Sequence, residues 1–154
     1  MKDIFIDNNV ASRFKNPADE EYKKLLNWIT EKGHLVLSQK LLKEYISSNR
    51  GNFGQSIITV IDRLTRENRI VRIENTQLKA FSFPSHVEKK IDKLRMNIED
   101  YDHLKAIVLS NRKIGIVIDE KLRNSVNDYP TIDGIKSKAV SRPEHIDYEN
   151  YDPF

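Results

Sequence analysis

Two apolar runs each end on an acid, and few folds tolerate that pattern. Ile4-Phe5-Ile6 runs into Asp7, and Ile114-Gly115-Ile116-Val117-Ile118 runs into Asp119. Short β-branched runs with no polar alternation read as strands covered on both faces, which is the condition of a parallel sheet packed between helices. An acid closing such a strand lies at its carboxyl end, the edge at which open α/β sheets bind ligands. Two of them predict one acidic site at one edge of one sheet.

The remaining segments alternate between the two periodicities. Asn16-Pro17-Ala18-Asp19-Glu20 predicts a helix start, with Tyr22, Leu25, Leu26 and Ile29 on one face and Gly33 as its C-terminal cap. His34 to Leu37 reads as a strand. Ser38 then caps a helix carrying Leu41, Leu42, Tyr45 and Ile46. A polar turn over 47–54 leads to a helix from about Phe53 to Asn68, and Arg69 to Ile73 reads as an edge strand. Residues 74–84 give no clear periodicity. Ser85 and Glu88 have the spacing of a capping box. Asp100-Tyr101-Asp102-His103 precedes a helix carrying Leu104, Ile107 and Val108, and a short helix is expected over Lys121 to Val126. Ile135 to Val140 alternates like a half-exposed last strand, and 147–154 is expected to be loosely held. The whole predicts one domain over 1–154, a three-layer α/β/α fold around a central, mostly parallel sheet of about five strands.

Composition narrows the function. The 154 residues carry 26 Lys+Arg and 23 Asp+Glu, a net charge of +3, which permits a polyanionic partner without demanding one. The absence of cysteine excludes disulfides and thiolate metal sites. No apolar run approaches the ~18 residues of a membrane helix, and the opening residues do not have the form of a signal peptide, so a cytoplasmic location is expected.

Four acids stand at special places: Asp7 and Asp119 close strands, Glu44 edges a helix that follows a strand, and Asp102 opens the helix before the last apolar strand. Carboxylates converging at one sheet edge repel one another, and a hard divalent cation with a preference for oxygen, Mg²⁺ or Mn²⁺, removes that cost. Such a centre suits phosphodiester hydrolysis. Phosphates would then need cations elsewhere, for which Lys15, Arg50, Arg112, Lys113, Lys121 and Arg123 are candidates. The histidines at 34, 86, 103 and 145 lack the spacing of a paired metal site and are expected to be ordinary surface or satisfied residues. Neither G-x-x-x-x-G-K-[ST] nor G-x-G-x-x-G occurs, so a nucleotide-cradling loop is not expected.

The order of these blocks resembles the PIN-domain ribonucleases, including the VapC-type toxins of bacterial toxin–antitoxin pairs. Ile4 to Val10 is similar to the opening strand of that family, with Asp7 followed two residues on by Asn9. Ser38 to Glu44 is similar to its second block, Asp102 to Ala106 to its third, Ile116 to Asp119 to its fourth, and Ser141 to His145 to its closing Pro-Glu segment. The resemblance implies a five-stranded parallel sheet and Mg²⁺- or Mn²⁺-dependent endonucleolytic cleavage of single-stranded RNA. The ligands implied are Asp7, Glu44, Asp102 and Asp119, with Asn9 orienting substrate. It further implies homodimerisation and, for a toxin, an antitoxin protein that fills the cleft. The chain departs from the family at Ile118, where many members carry Thr or Ser. Glu120 follows Asp119 directly, so either acid can fill the fourth position. A catalytically degenerate module that binds RNA or protein is the alternative, and a nuclease acting on DNA is a third reading.

Overall fold

The computed structural model describes residues 2–15, 18–49, 56–146 and 148. Its centre is a five-stranded, all-parallel sheet in the order β3-β2-β1-β4-β5, formed by β1 (Asp3–Ile6), β2 (His34–Ser38), β3 (Ile70–Ile73), β4 (Ile114–Ile116) and β5 (Lys138–Val140). The register pairs Ile4 with Leu35 on one side of β1 and Ile6 with Ile116 on the other. Every residue of β1 and β4 is buried, as their apolar runs require. Helices cover both faces: α2 (Glu20–Glu31), α3 (Gln39–Ser48), α4 (Ile57–Arg66), α5 (Asn75–Ala80), α6 (Ser85–Leu94), α7 (Ile98–Leu109) and α8 (Glu120–Asn127) join α1 (Asn8–Ala11) in a three-layer α/β/α arrangement. Among the described residues, no helix is long and apolar enough to cross a membrane.

Chain order runs outward from β1 to β2 and β3, then returns to the other flank for β4 and β5. The sheet therefore reverses direction between β1 and β4, and the crevice outside the carboxyl ends there is where such folds bind ligands. Asp7 N–H donates to the Ile116 carbonyl at 3.0 Å, so the β1 end is tied to that gap. A helix that follows a parallel strand starts at the carboxyl edge, as does a helix that leads into one. The first turns of α3 and α7 therefore flank the end of β1.

Several boundaries differ from the sequence expectation. The segment after β1 is a short helix, α1, continued by a 3-10 turn over Ser12–Lys15; Asp7 caps it, its Oδ1 accepting from Asn8 N–H at 2.9 Å. Helix α2 is capped by Asp19, and Asn16 and Pro17 lie outside the described residues, as do Phe53 and the tail apart from Tyr148. Residues 75–80, left unassigned by periodicity, form α5 with a capping box from Glu74 and Gln77. The Ser85 capping box does not form: Pro84 occupies the cap position, so Ser85 is already inside α6. Ile135 does not enter the last strand. It pairs antiparallel with Ile132 across a turn at Asp133 and Gly134, both at positive φ (52° and 78°), which postpones β5 to Lys138.

Gly33 follows the end of α2, whose C-cap is Lys32, and the reason for glycine there is space. A Cβ at Gly33 would lie 2.5 Å from Trp28 Cζ3 and 2.9 Å from Ile29 Cδ1. Trp28 is buried and packs at a tilt against Tyr148, with ring centroids 5.1 Å apart, so its ring has little room to retreat. Gly33→Ala is expected to cost about 1–3 kcal/mol through overpacking, less about 0.4–1 kcal/mol regained from the unfolded chain. Urea denaturation measures the net loss.

Candidate metal centre

Asp7 closes β1 and is only 8 % exposed. Glu44 lies in α3, capped by Ser38, whose Oγ accepts from Leu41 N–H at 3.1 Å. His103 lies in α7, 2 % exposed, against Phe5 of β1 with ring centroids 5.4 Å apart. His103 Nε2 lies 2.9 and 3.1 Å from the two Glu44 oxygens. One ligand atom each from Asp7, Glu44 and His103 lies within 4.8 Å of the others. Tyr45, fully buried beside Glu44, donates its hydroxyl to the Ile6 carbonyl and fixes the last peptide of β1.

The electrostatics describe a carboxylate held in a dry place. Burial pushes the Asp7 carboxyl up from 3.8 to about 6, against the pull of His103 and the Asn8 N–H; Glu44 and Asp100 add to the rise. Burial also raises Asp100, and Asp119 and Glu44 push it further the same way. The acidic groups that sense one another across the edge are thus Asp7, Glu44, Asp100 and Asp119.

Asp102, expected at the centre, is placed otherwise. Helix α7 begins at Ile98, with Asn97 as its cap, so Asp102 does not open it. Asp102 instead faces α3 and pairs with Lys40 at 3.1 Å, both side chains about one-third exposed. A helix turns 100° per residue, so Asp100 and His103 share a face while Asp102, two residues from Asp100, points away. Asp119 caps α8, its Oδ1 accepting from Leu122 N–H at 2.9 Å, and lies outside the three-residue cluster. Glu120 is exposed in the first turn of α8. Asn9 is exposed on α1, where its carbonyl accepts from Ser12 Oγ at 3.1 Å. The asparagine tied into the fold is Asn8, whose Nδ2 donates to Ser48 Oγ at 2.7 Å.

His103, expected to be an ordinary residue, is at the centre; its signal in the sequence was the three-residue spacing from Asp100. Two cations expected to hold phosphate are structural. Arg112, 1 % exposed, donates from Nε to the Asp3 carbonyl at 2.9 Å, and Lys113 Nζ donates to the Val108 and Ser110 carbonyls at 2.6 and 2.9 Å. Both precede β4 and so lie at the opposite, amino edge of the sheet. Arg123 does reach the carboxyl edge, its Nη1 donating to the Ile118 carbonyl at 2.8 Å, and Lys121 is exposed on α8. Arg50 and the Lys15 side chain lie outside the described residues. Beside Glu44, a cavity of about 390 Å³ is lined by Lys40, Lys43, Ser47, Asn75 and Asp102 among others.

Buried Asp7 and the converging carboxylate and imidazole donors form a set that suits a divalent cation. No protein-family model matches the chain, and no curated protein is similar to it.

Proposed function

We propose that the protein is a divalent-metal-dependent endoribonuclease whose centre is built on Asp7, Glu44 and His103. The observation that carries the reading is the meeting of these three chain-distant side chains within 4.8 Å at the sheet's reversal point. Resemblance to PIN-domain nucleases supports RNA as the substrate, and on the same footing a toxin held in check by an antitoxin, and a homodimer. The bound cation would be Mg²⁺ or Mn²⁺, which supplies an acidified water and offsets charge on the phosphoryl oxygens.

The chain's own groups divide the remaining work. Asp7 and Glu44 hold the cation, with His103 hydrogen-bonded to Glu44 beside them. Asp100 and Asp119, next along the edge, accept hydrogen bonds from the attacking water and orient it. Lys40 and Lys43, lining the adjacent cavity, bind the flanking phosphates, which requires Lys40 to exchange its Asp102 partner for a phosphate. A partly exposed pair of that kind is worth about 1 kcal/mol, so the exchange costs little.

Incubating labelled single-stranded RNA and DNA with the purified protein, with Mn²⁺ or Mg²⁺ and then EDTA, tests the proposal. The expected result is internal cleavage of RNA that stops on chelation and is lost in Asp7→Asn. Cleavage indifferent to EDTA or to that substitution would overturn it. A second reading, a non-catalytic RNA-binding module, is favoured by one observation: the residue before Asp119 is Ile118, apolar and 36 % exposed at the edge. RNA binding that persists in Asp7→Asn, with no cleavage by either protein, would select it.

A further inference from the structure

We propose that His103 is itself a metal ligand, so that the centre is a mixed carboxylate–imidazole site that takes a transition-metal cation such as Mn²⁺ in preference to Mg²⁺. This rests on reading the cluster as a metal centre.

The geometry is the first argument. In an octahedral site with bonds of about 2.1 Å, neighbouring ligand atoms sit about 3.0 Å apart. His103 Nε2 lies 2.9 and 3.1 Å from the two Glu44 oxygens, and an Asp7 oxygen lies within 4.8 Å of both groups. Nε2 therefore already stands where a cis ligand belongs. Lewis-acid softness is the second argument. Mg²⁺ takes oxygen and dehydrates reluctantly, whereas imidazole raises affinity for the first-row transition ions. A buried imidazole facing inward spends one coordination position on a donor that Mg²⁺ does not favour.

The surroundings also set the strength of the site. His103 Nδ1 is buried and has no hydrogen-bond partner among the described residues. Metal-bound histidines normally donate from that second nitrogen, and losing such support costs about 10–100-fold in affinity. The site is accordingly expected to exchange its ion readily.

Mn²⁺ binding followed by electron paramagnetic resonance, with spin-echo modulation to detect bound nitrogen and Mg²⁺ as competitor, tests the inference on the intact chain. Wild type is expected to show ¹⁴N modulation and to prefer Mn²⁺ over Mg²⁺ by about tenfold or more. His103→Gln should lose the modulation and about 10–100-fold in Mn²⁺ affinity, with Mg²⁺ affinity changed by less than about threefold. The wild-type spectrum requires no variant to fold. A nitrogen-free Mn²⁺ spectrum from a site that Asp7→Asn abolishes overturns the role of His103 and leaves the metal centre standing. Failure of wild type to bind Mn²⁺ overturns both.

Discussion

Asp7→Asn is expected to make the metal-free protein more stable at pH 7 while removing the proposed metal site. The Asp7 carboxyl titrates at about 6 in the folded chain against 3.8 for the ordinary group, mainly because burial disfavours its charge. Between about pH 4 and pH 6 the folded state thus holds a proton that the unfolded state has released, and stability falls as pH rises through that window. At pH 7 the deficit is of order 3 kcal/mol. Asparagine retains the oxygen that accepts from Asn8 N–H and carries no charge, so it removes the deficit and keeps the helix cap. Asp100, also raised, contributes in the same direction. Asp19, Glu67 and Glu144 are lowered by arginine partners and contribute stability that is lost as pH falls, so the wild-type curve is a sum of both kinds. The difference between wild type and Asp7→Asn isolates the one group. Measured by denaturation in EDTA, that difference should be near zero at pH 4 and favour the variant increasingly up to pH 7. Mn²⁺ at 1,000 times its Kd should reverse the order, since it adds about 4.1 kcal/mol to the wild type alone. A variant less stable than wild type at pH 7 in EDTA would mean that Asp7 is neutralised within the fold and has no need of a cation.

What could be read in the sequence, and what could not, follows from which forces leave a local mark. Strands β1 and β4 were legible because burial on both faces demands unbroken apolar runs, and Ser38 because capping is a local hydrogen bond. Glu44 was legible from its place on the helix after β2. Its partner was not, since His103 arrives from a segment 59 residues away. The start of α7 was set too late because its first residue, Ile98, is 81 % exposed and gives no apolar stripe to follow. Placing the helix start at Asp102 gave that residue the position that belongs to Asp100. Arg112 and Lys113 are structural for a topological reason that the sequence does contain: a segment between a helix and the strand that follows it lies at the amino edge, away from ligands.

The exchange of Asp100 for Asp102 carries the second large effect. Asp100→Asn is expected to lower Mn²⁺ affinity and RNA cleavage by about 10–100-fold, as loss of a group supporting a metal centre does. Asp102→Asn should change both by less than about threefold and stability by no more than about 1 kcal/mol, because its partner Lys40 is a cation about one-third exposed to solvent. The argument turns on the helix period. Asp100 and His103 are three residues apart and project from one face of α7; Asp102 projects from another, toward α3. Two further observations agree. The charge of Asp100 is among the causes that raise the Asp7 carboxyl. Burial raises the Asp100 carboxyl as well, and the charges of Asp119 and Glu44 both add to that rise. Both substitutions remove one oxygen and one negative charge from the same helix, so long-range electrostatics and helix propensity are matched and only the direction of the side chain differs. Isothermal titration with Mn²⁺ and a cleavage time course on the two variants decide the matter. If Asp102→Asn proved the damaging change, Lys40 would have to release its carboxylate to the centre on metal binding, and α3 and α7 would have to shift against each other to allow it.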